Sequence, residues 1–186
     1  MTFIRNGCVS ILLTVLGGCT TTQPFNPAVD TLAVTELDLA TATFREMCIE
    51  TLPDFSQVAA SAQSKGFVPF ALRGLDRFGG QVYRTGRKSV VAMTARFDNT
   101  TPVCGVAFLG PKDGATVQKA FLAATSRALG GNPRQKMRAP KNDAAYHLRN
   151  GSALIFETRA KIDGTSHHVY LTPPMSLNNA EQFVLK

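Results

Sequence analysis

The chain contains 186 residues, of which 44% are hydrophobic, and it carries a formal net charge of +7. This length suits one domain with its own core, because single domains typically contain about 100 to 150 residues. The basic excess alone does not identify a partner, since Lys and Arg often serve only to solvate a protein surface.

The N-terminal segment is typical of a secretory signal. Arg5 supplies a positive charge, and an apolar run follows from Val9 to Leu16. That run is much shorter than the roughly 20 apolar residues that cross a bilayer core. It ends in Leu16-Gly17-Gly18-Cys19, so we expect residues 1–18 to be a signal peptide that is removed.

The sequence Leu16-Gly17-Gly18-Cys19 resembles the lipobox of bacterial lipoproteins, in which a leucine and two small residues precede a lipidated cysteine. The resemblance covers only the first twenty or so residues. It implies a diacylglycerol on Cys19 and an acylated new N-terminus, which anchor the protein because each buried methylene contributes about 0.8 kcal/mol. Thr20 stands where family members retained in the inner membrane often carry Asp, which implies the periplasmic face of the outer membrane. The alternative is an ordinary cleaved signal that leaves Cys19 unmodified.

The remaining cysteines predict one disulfide. Cys8 falls in the signal peptide and Cys19 carries lipid, which leaves Cys48 and Cys104 in an exported protein. Neither residue lies in a CxxC motif or at ligand spacing from a histidine, and no Cys-His signature surrounds Cys48. A metal site or a catalytic thiol is therefore a weaker interpretation than a disulfide.

The mature chain is expected to contain a tether and one domain. Residues 19–34 are rich in Thr, Pro and Asn without a clear period, which is typical of a linker that follows the lipidated N-terminus. Residues 35–186 then form the domain. Helical spacing of apolar residues predicts a first helix, with Thr35 as its N-cap and Cys48 near its end.

A second helix and a first group of strands follow. Asp54 and Gln57 form a capping-box pattern, and the helix is predicted to end at Gly66. Segment 68–80 mixes Pro, Gly and aromatic residues, so we expect a long, partly ordered loop. Three strand-like runs with turn-forming separators then predict an antiparallel meander. They cover residues 81–85, 89–97 and 103–110.

The second half repeats this grouping. Asp113 is the predicted cap of a third helix, which ends at Gly130-Gly131. After a basic loop, three more strands are predicted, joined by the hairpin signals Asn150-Gly151 and Asp163-Gly164. These strands cover about residues 143–149, 152–160 and 166–172.

Together these elements predict a two-layer α+β domain with helices packed on one face of an antiparallel sheet. We expect about six strands in two meanders and about three helices, in the order α-α-βββ-α-βββ. The element order is that of a duplicated unit, although no residue-level repeat accompanies it.

No catalytic residue, metal site or cofactor is predicted. The sequence lacks a nucleophile elbow, a zinc-binding helix motif and a phosphate-binding loop. His167 and His168 are adjacent in a strand, where neighbouring side chains point to opposite faces and cannot easily bind one ion. Glu157 lies within an apolar strand and is either functional or simply on a solvated sheet face.

Basic residues supply the candidate binding site. Arg offers a planar fork to phosphate groups and Lys a point charge, while solvation of exposed loops is the alternative explanation. The candidate anion-binding residues are Arg84, Arg87 and Lys88 at a hairpin tip, and Arg134, Lys136 and Arg138 in the basic loop, with Lys141 close by.

An anchor and a tether hold a domain at a membrane surface and raise its effective concentration there. We therefore expect a non-enzymatic binding or scaffold domain for an envelope partner, either a protein or anionic lipid or cell-wall material, with no role for nucleic acid. The alternatives are an envelope hydrolase with a site assembled from distant residues and a purely structural envelope protein. A convergent pocket that contains Glu157 or a histidine favours the hydrolase, whereas a flat basic surface favours binding.

Overall fold

The computed structural model describes residues 37–71, 80–84, 90–97, 100–161 and 164–185. The predicted signal peptide, the lipidation site Cys19, the tether and the helix cap Thr35 lie outside these residues. So do Asp163 of one hairpin signal and two of the candidate anion-binding residues, Arg87 and Lys88.

Four helices occur in the described residues. Helix α1 is α-helical over residues 37–44 and continues into a π-helical turn at Arg45–Ile49. The others are α2 (Val58–Ser64), α3 (Gly114–Ala128) and α4 (Leu177–Leu185). Helix α2 begins later than the capping-box pattern predicted, because the Asp54 carboxylate accepts the Ser56 N–H at 2.9 Å and does not cap the helix.

Eight strands form one antiparallel sheet in the order β1-β2-β3-β4-β8-β7-β6-β5. The strands of the two meanders run inward from opposite edges, and their last strands, β4 and β8, pair at the centre. The strands are β1 (Val68–Phe70), β2 (Gln81–Arg84), β3 (Val91–Phe97), β4 (Thr101–Gly110), β5 (Gln135–Met137), β6 (Ala144–His147), β7 (Ala153–Lys161) and β8 (Gly164–Leu171).

The predicted α+β class is confirmed, but the strand and helix counts were wrong, since β1, β5 and α4 were not predicted. Strand β1 contains Pro69, which suggested a loop, yet an outermost strand tolerates a residue without an N–H. Strand β5 lies in the predicted basic loop and has one buried residue, Met137, so it lacked an apolar signal. Helix α4 buries only Ala180 and Val184, one turn apart.

The helices cover both faces of the sheet. Helices α1, α2 and α3 pack on the inner face, and α4 packs on part of the outer face. On β7, Leu154 and Phe156 belong to the buried cluster beneath α3, whereas Ile155 belongs to a second cluster with Ala180 and Val184 of α4. Neighbouring strand residues point in opposite directions, so the expectation that all helices share one face is wrong for α4.

The inner core is built around Phe121 of α3. Its ring centroid lies 5.2 Å from that of Phe44, 5.8 Å from that of Phe108 and 6.3 Å from that of Phe156. These rings join α1 and α3 to strands β4 and β7, and each buried Phe contributes about 1.5–3 kcal/mol. Thr125, one turn beyond Phe121, donates its hydroxyl to the Phe121 carbonyl at 3.0 Å, so no buried polar group is left unpaired there.

The predicted disulfide between Cys48 and Cys104 is present, with a Cα–Cα distance of 5.3 Å. Cys48 lies in the π-helical turn of α1, Cys104 lies in the central strand β4, and both are fully buried. The bridge therefore joins α1 to the middle of the sheet.

Candidate functional site

Three of the candidate anion-binding residues lie along the β5 edge of the sheet, and we call Arg134, Lys136 and Arg138 the basic row. All three are exposed. Lys136 pairs with Tyr146 of β6, and the Arg134 N–H extends the pairing by donating to the His147 carbonyl at 2.9 Å. Arg134 directly precedes β5 and Arg138 directly follows it, so the three basic residues alternate along the chain at this edge of the sheet.

No acidic side chain neutralises the basic row in the described part of the chain. The ion pairs found there involve Arg45, Lys65 and Arg159, and no carboxylate lies within 4 Å of the basic row. The chain between residues 114 and 160 contains eight Lys or Arg residues against two Asp or Glu. Residues 37–71 contain two Lys or Arg residues against four Asp or Glu. Positive charge is therefore concentrated in the second half of the domain.

The remaining described candidate, Arg84, lies far from the basic row. It ends β2, and its guanidinium carbon lies 4.3 Å from the ring centroid of Phe70 on β1. Six strand spacings separate β2 from β5, which is about 29 Å at roughly 4.8 Å per spacing. Arg84 and the basic row therefore cannot contact the same anion, and anion binding at each remains a separate prediction.

Sequence reasoning missed a polar group on the outer face of β7 and β8, which we call the outer-face cluster. It comprises Glu157, Arg159, Ser166, His168 and Tyr170. The register pairs Glu157 with His168 and Arg159 with Ser166. Glu157 also accepts a hydrogen bond from Arg159 Nε at 2.8 Å, which raises the pKa of the guanidinium. The alternate spacing of Ser166, His168 and Tyr170 is visible in the sequence. The pairing of β8 with β7, which brings these residues beside Glu157 and Arg159, is not.

Within this cluster, His168 links two hydroxyl groups. Its Nε2 lies 3.1 Å from Ser166 Oγ, and its Nδ1 lies 3.3 Å from the Tyr170 hydroxyl. Burial raises the pKa of Tyr170 to about 12, and the nearby Glu157 charge adds to the shift. Tyr170 therefore keeps its proton at neutral pH.

The Ser166–His168 contact has the geometry of a nucleophile beside its base, but it lacks access. Ser166 is only 4% exposed, so its hydroxyl cannot reach a substrate carbonyl without opening of the sheet surface. The cluster can therefore present fixed polar groups to a partner, but it does not expose a nucleophile.

His167 is a structural residue on the inner face. It is 2% exposed, its Nε2 lies 2.7 Å from the Pro111 carbonyl oxygen, and its Nδ1 lies 3.4 Å from Thr158 Oγ1. The small cleft beside it, between the start of α3 and strands β7 and β8, contains about 170 Å³ of empty space, which includes open solvent. Even with that solvent counted, the cleft is smaller than the roughly 300–1,000 Å³ that ligand pockets usually enclose.

Within the described residues, no group of three or more His, Cys, Asp or Glu side chains is arranged to hold a metal ion. None of the helices among these residues has the length and apolar character required to cross a bilayer.

No protein-family model matches the chain, and no curated protein or solved structure is significantly similar to it.

Proposed function

We propose that this protein is a lipoprotein held at the periplasmic face of the outer membrane, with a non-enzymatic domain that binds an anionic envelope component. The observation that carries the binding role is the basic row, in which three exposed cations follow one sheet edge and no carboxylate of the described residues lies within 4 Å of them. The lipobox sequence before Cys19 supports the anchor. The Cys48–Cys104 disulfide supports export, because disulfides persist in oxidising compartments.

Binding accounts for the surface better than hydrolysis does. An acyl-transfer site needs a reachable nucleophile and a cavity for the substrate, but in the described part of the chain Ser166 is buried and the cleft beside His167 is small. Glu157 is held in an ion pair with Arg159. The basic row, by contrast, needs no rearrangement to contact an anion.

The anchor is tested by substitution of the lipidated cysteine. We expect Cys19→Ser to abolish incorporation of labelled palmitate and to release the protein from the membrane fraction. Cys8→Ser is the matched control, since Cys8 precedes the cleavage site and its loss should change neither property. Unchanged palmitate labelling or membrane fractionation of Cys19→Ser would rule out the anchor.

The binding role is tested by site-specific photocrosslinking in intact envelopes. A photoreactive residue at position 136 is expected to capture anionic envelope material. The same residue at position 119, where Lys119 is exposed on α3, should not. Identical products at both positions, or no product at position 136, would contradict the proposal.

A hydrolase remains the second candidate because Ser166 hydrogen-bonds with His168. We expect a fluorophosphonate probe, which labels activated serines, to leave Ser166 unmodified. Labelling of Ser166 that is lost on His168→Ala would replace the binding proposal with a hydrolase.

A further inference from the structure

We propose that the β5 edge docks on the anionic phospholipid surface of the membrane that carries the anchor, so that the domain stands edge-on to the bilayer. The inference rests on the proposed function and names the partner of the basic row.

The basic row is an extended series of cations along the chain. Lys136 lies in β5, and Arg134 and Arg138 flank its two ends, so the backbones of the two arginines lie up to about 14 Å apart. One phosphate group bound by several cations requires side chains that converge on it. A line of separated cations instead matches an extended array of anions, such as the headgroups of a bilayer.

The basic row lies at the rim of the domain. Strand β5 is the outermost strand at its end of the described sheet and the two arginines flank its ends, so a bilayer that approaches this rim meets all three exposed residues. Met137, the apolar residue of the strand, is 3% exposed and packs beneath α4. The contact is therefore electrostatic, without insertion into the hydrocarbon, and is expected to weaken as salt screens it.

The tether is long enough for the β5 edge to reach the bilayer. Seventeen residues, 20–36, separate Cys19 from Leu37, and a chain of that length extends to at most about 60 Å. The disulfide joins α1 to β4, and four strand spacings of roughly 4.8 Å, about 19 Å in all, separate β4 from β5. The anchor therefore allows the β5 edge to reach the bilayer.

A second protein strand is a poorer occupant of this edge. Strand addition requires close approach of another backbone, and charged side chains on an edge strand oppose it. The row carries three positive charges within five residues.

The test uses the unlipidated chain of residues 20–186, so that its result does not depend on Cys19. Both buried clusters and the disulfide lie within residues 37–185, so this chain retains the whole described core. Binding is measured by flotation with vesicles of equimolar phosphatidylcholine and phosphatidylglycerol, and with vesicles of phosphatidylcholine alone. We expect binding only to the anionic vesicles, and weaker binding at higher salt.

The decisive comparison uses two triple variants with the same change in net charge. A cation near an anionic surface contributes about 1 kcal/mol, or about fivefold in affinity, so Arg134→Gln with Lys136→Gln and Arg138→Gln should weaken binding about a hundredfold. The matched control replaces three exposed cations on and before α3, Lys112, Lys119 and Arg127, by Gln. The affinity of this control variant for anionic vesicles should fall no more than a fewfold.

Backbone amide exchange of the same chain reports the orientation. Anionic vesicles are expected to slow exchange in the segment of β5 and not in that of β1. Equal losses in both triple variants, or no binding to anionic vesicles, would overturn the inference. Binding to purified cell-wall sacculi that the row variant alone loses, with no vesicle binding, would also overturn it while leaving the proposed function intact.

Discussion

Replacing both Cys48 and Cys104 by alanine is expected to destabilise the domain by about 4 kcal/mol, chiefly through the unfolded chain. The bridge joins residues 56 positions apart. For a loop of that length, the chain-entropy relation gives about 14 cal/mol/K of lost unfolded-state entropy, or about 4 kcal/mol at 25 °C. Alanine is the appropriate replacement because both sulfurs are buried among apolar side chains, and alanine adds no polar group that must be paired there.

Urea unfolding followed by circular dichroism measures this loss. The double variant should also show a larger dependence of the unfolding free energy on urea, because its unfolded chain is less compact and exposes more surface. Reduced wild-type protein should match the variant, and reductant should leave the variant unchanged. A loss below about 1 kcal/mol with an unchanged urea dependence would refute the loop-entropy argument.

Two further predictions concern the outer face. Gly105→Ala should destabilise the domain by about 1–3 kcal/mol in urea unfolding, because the new Cβ would lie 2.6 Å from the Val169 carbonyl oxygen and 2.7 Å from the Tyr170 ring. Gly114→Ala, whose new Cβ meets only Thr158 Oγ1 at 3.7 Å, is the tolerated control, and equal losses would contradict the prediction. Because the pKa of Tyr170 is raised to about 12, the folded state retains a proton that the unfolded state loses near pH 10, so stability should fall between pH 10 and 12. Tyr170→Phe should reduce this loss of stability. If the variant loses as much stability between pH 10 and 12 as the wild-type protein does, the loss does not come from Tyr170.

The parts of the fold that sequence predicted are those set by local interactions. The hairpin signal Asn150-Gly151 lies between β6 and β7, where the Gly151 φ of +91° suits glycine, and the Gly151 N–H donates to the Leu148 carbonyl at 3.1 Å. The pairing of β4 with β8 joins segments about 60 residues apart. No local pattern specifies that pairing, because it depends on how the two meanders pack together.

The two strands that were not predicted, β1 and β5, were missed for a different reason. Strands β1 and β5 are the outermost strands, so their residues are mostly exposed and lack the alternation that indicates a buried face. For the same reason Lys136 was assigned to a loop, and its place in an edge strand became apparent only from its pairing with Tyr146. The distance between Arg84 and the basic row depends on strand order, which the sequence does not encode locally.

Comparison of the two edge strands indicates that the basic row contains more positive charge than is needed to prevent another strand from pairing with the edge. Strands β1 and β5 occupy equivalent positions, each being the first strand of its meander. On β1, a single residue discourages strand addition, because Pro69 has no N–H to offer to an approaching chain. One lysine on β5 would serve the same purpose. The chain instead carries three cations in the five residues 134–138, and no described carboxylate compensates them. Mutual repulsion among three such charges costs stability, and a bound anionic surface removes that cost. Edge protection therefore requires no more than Lys136, and we propose that the two flanking arginines, which lie just outside β5, serve binding.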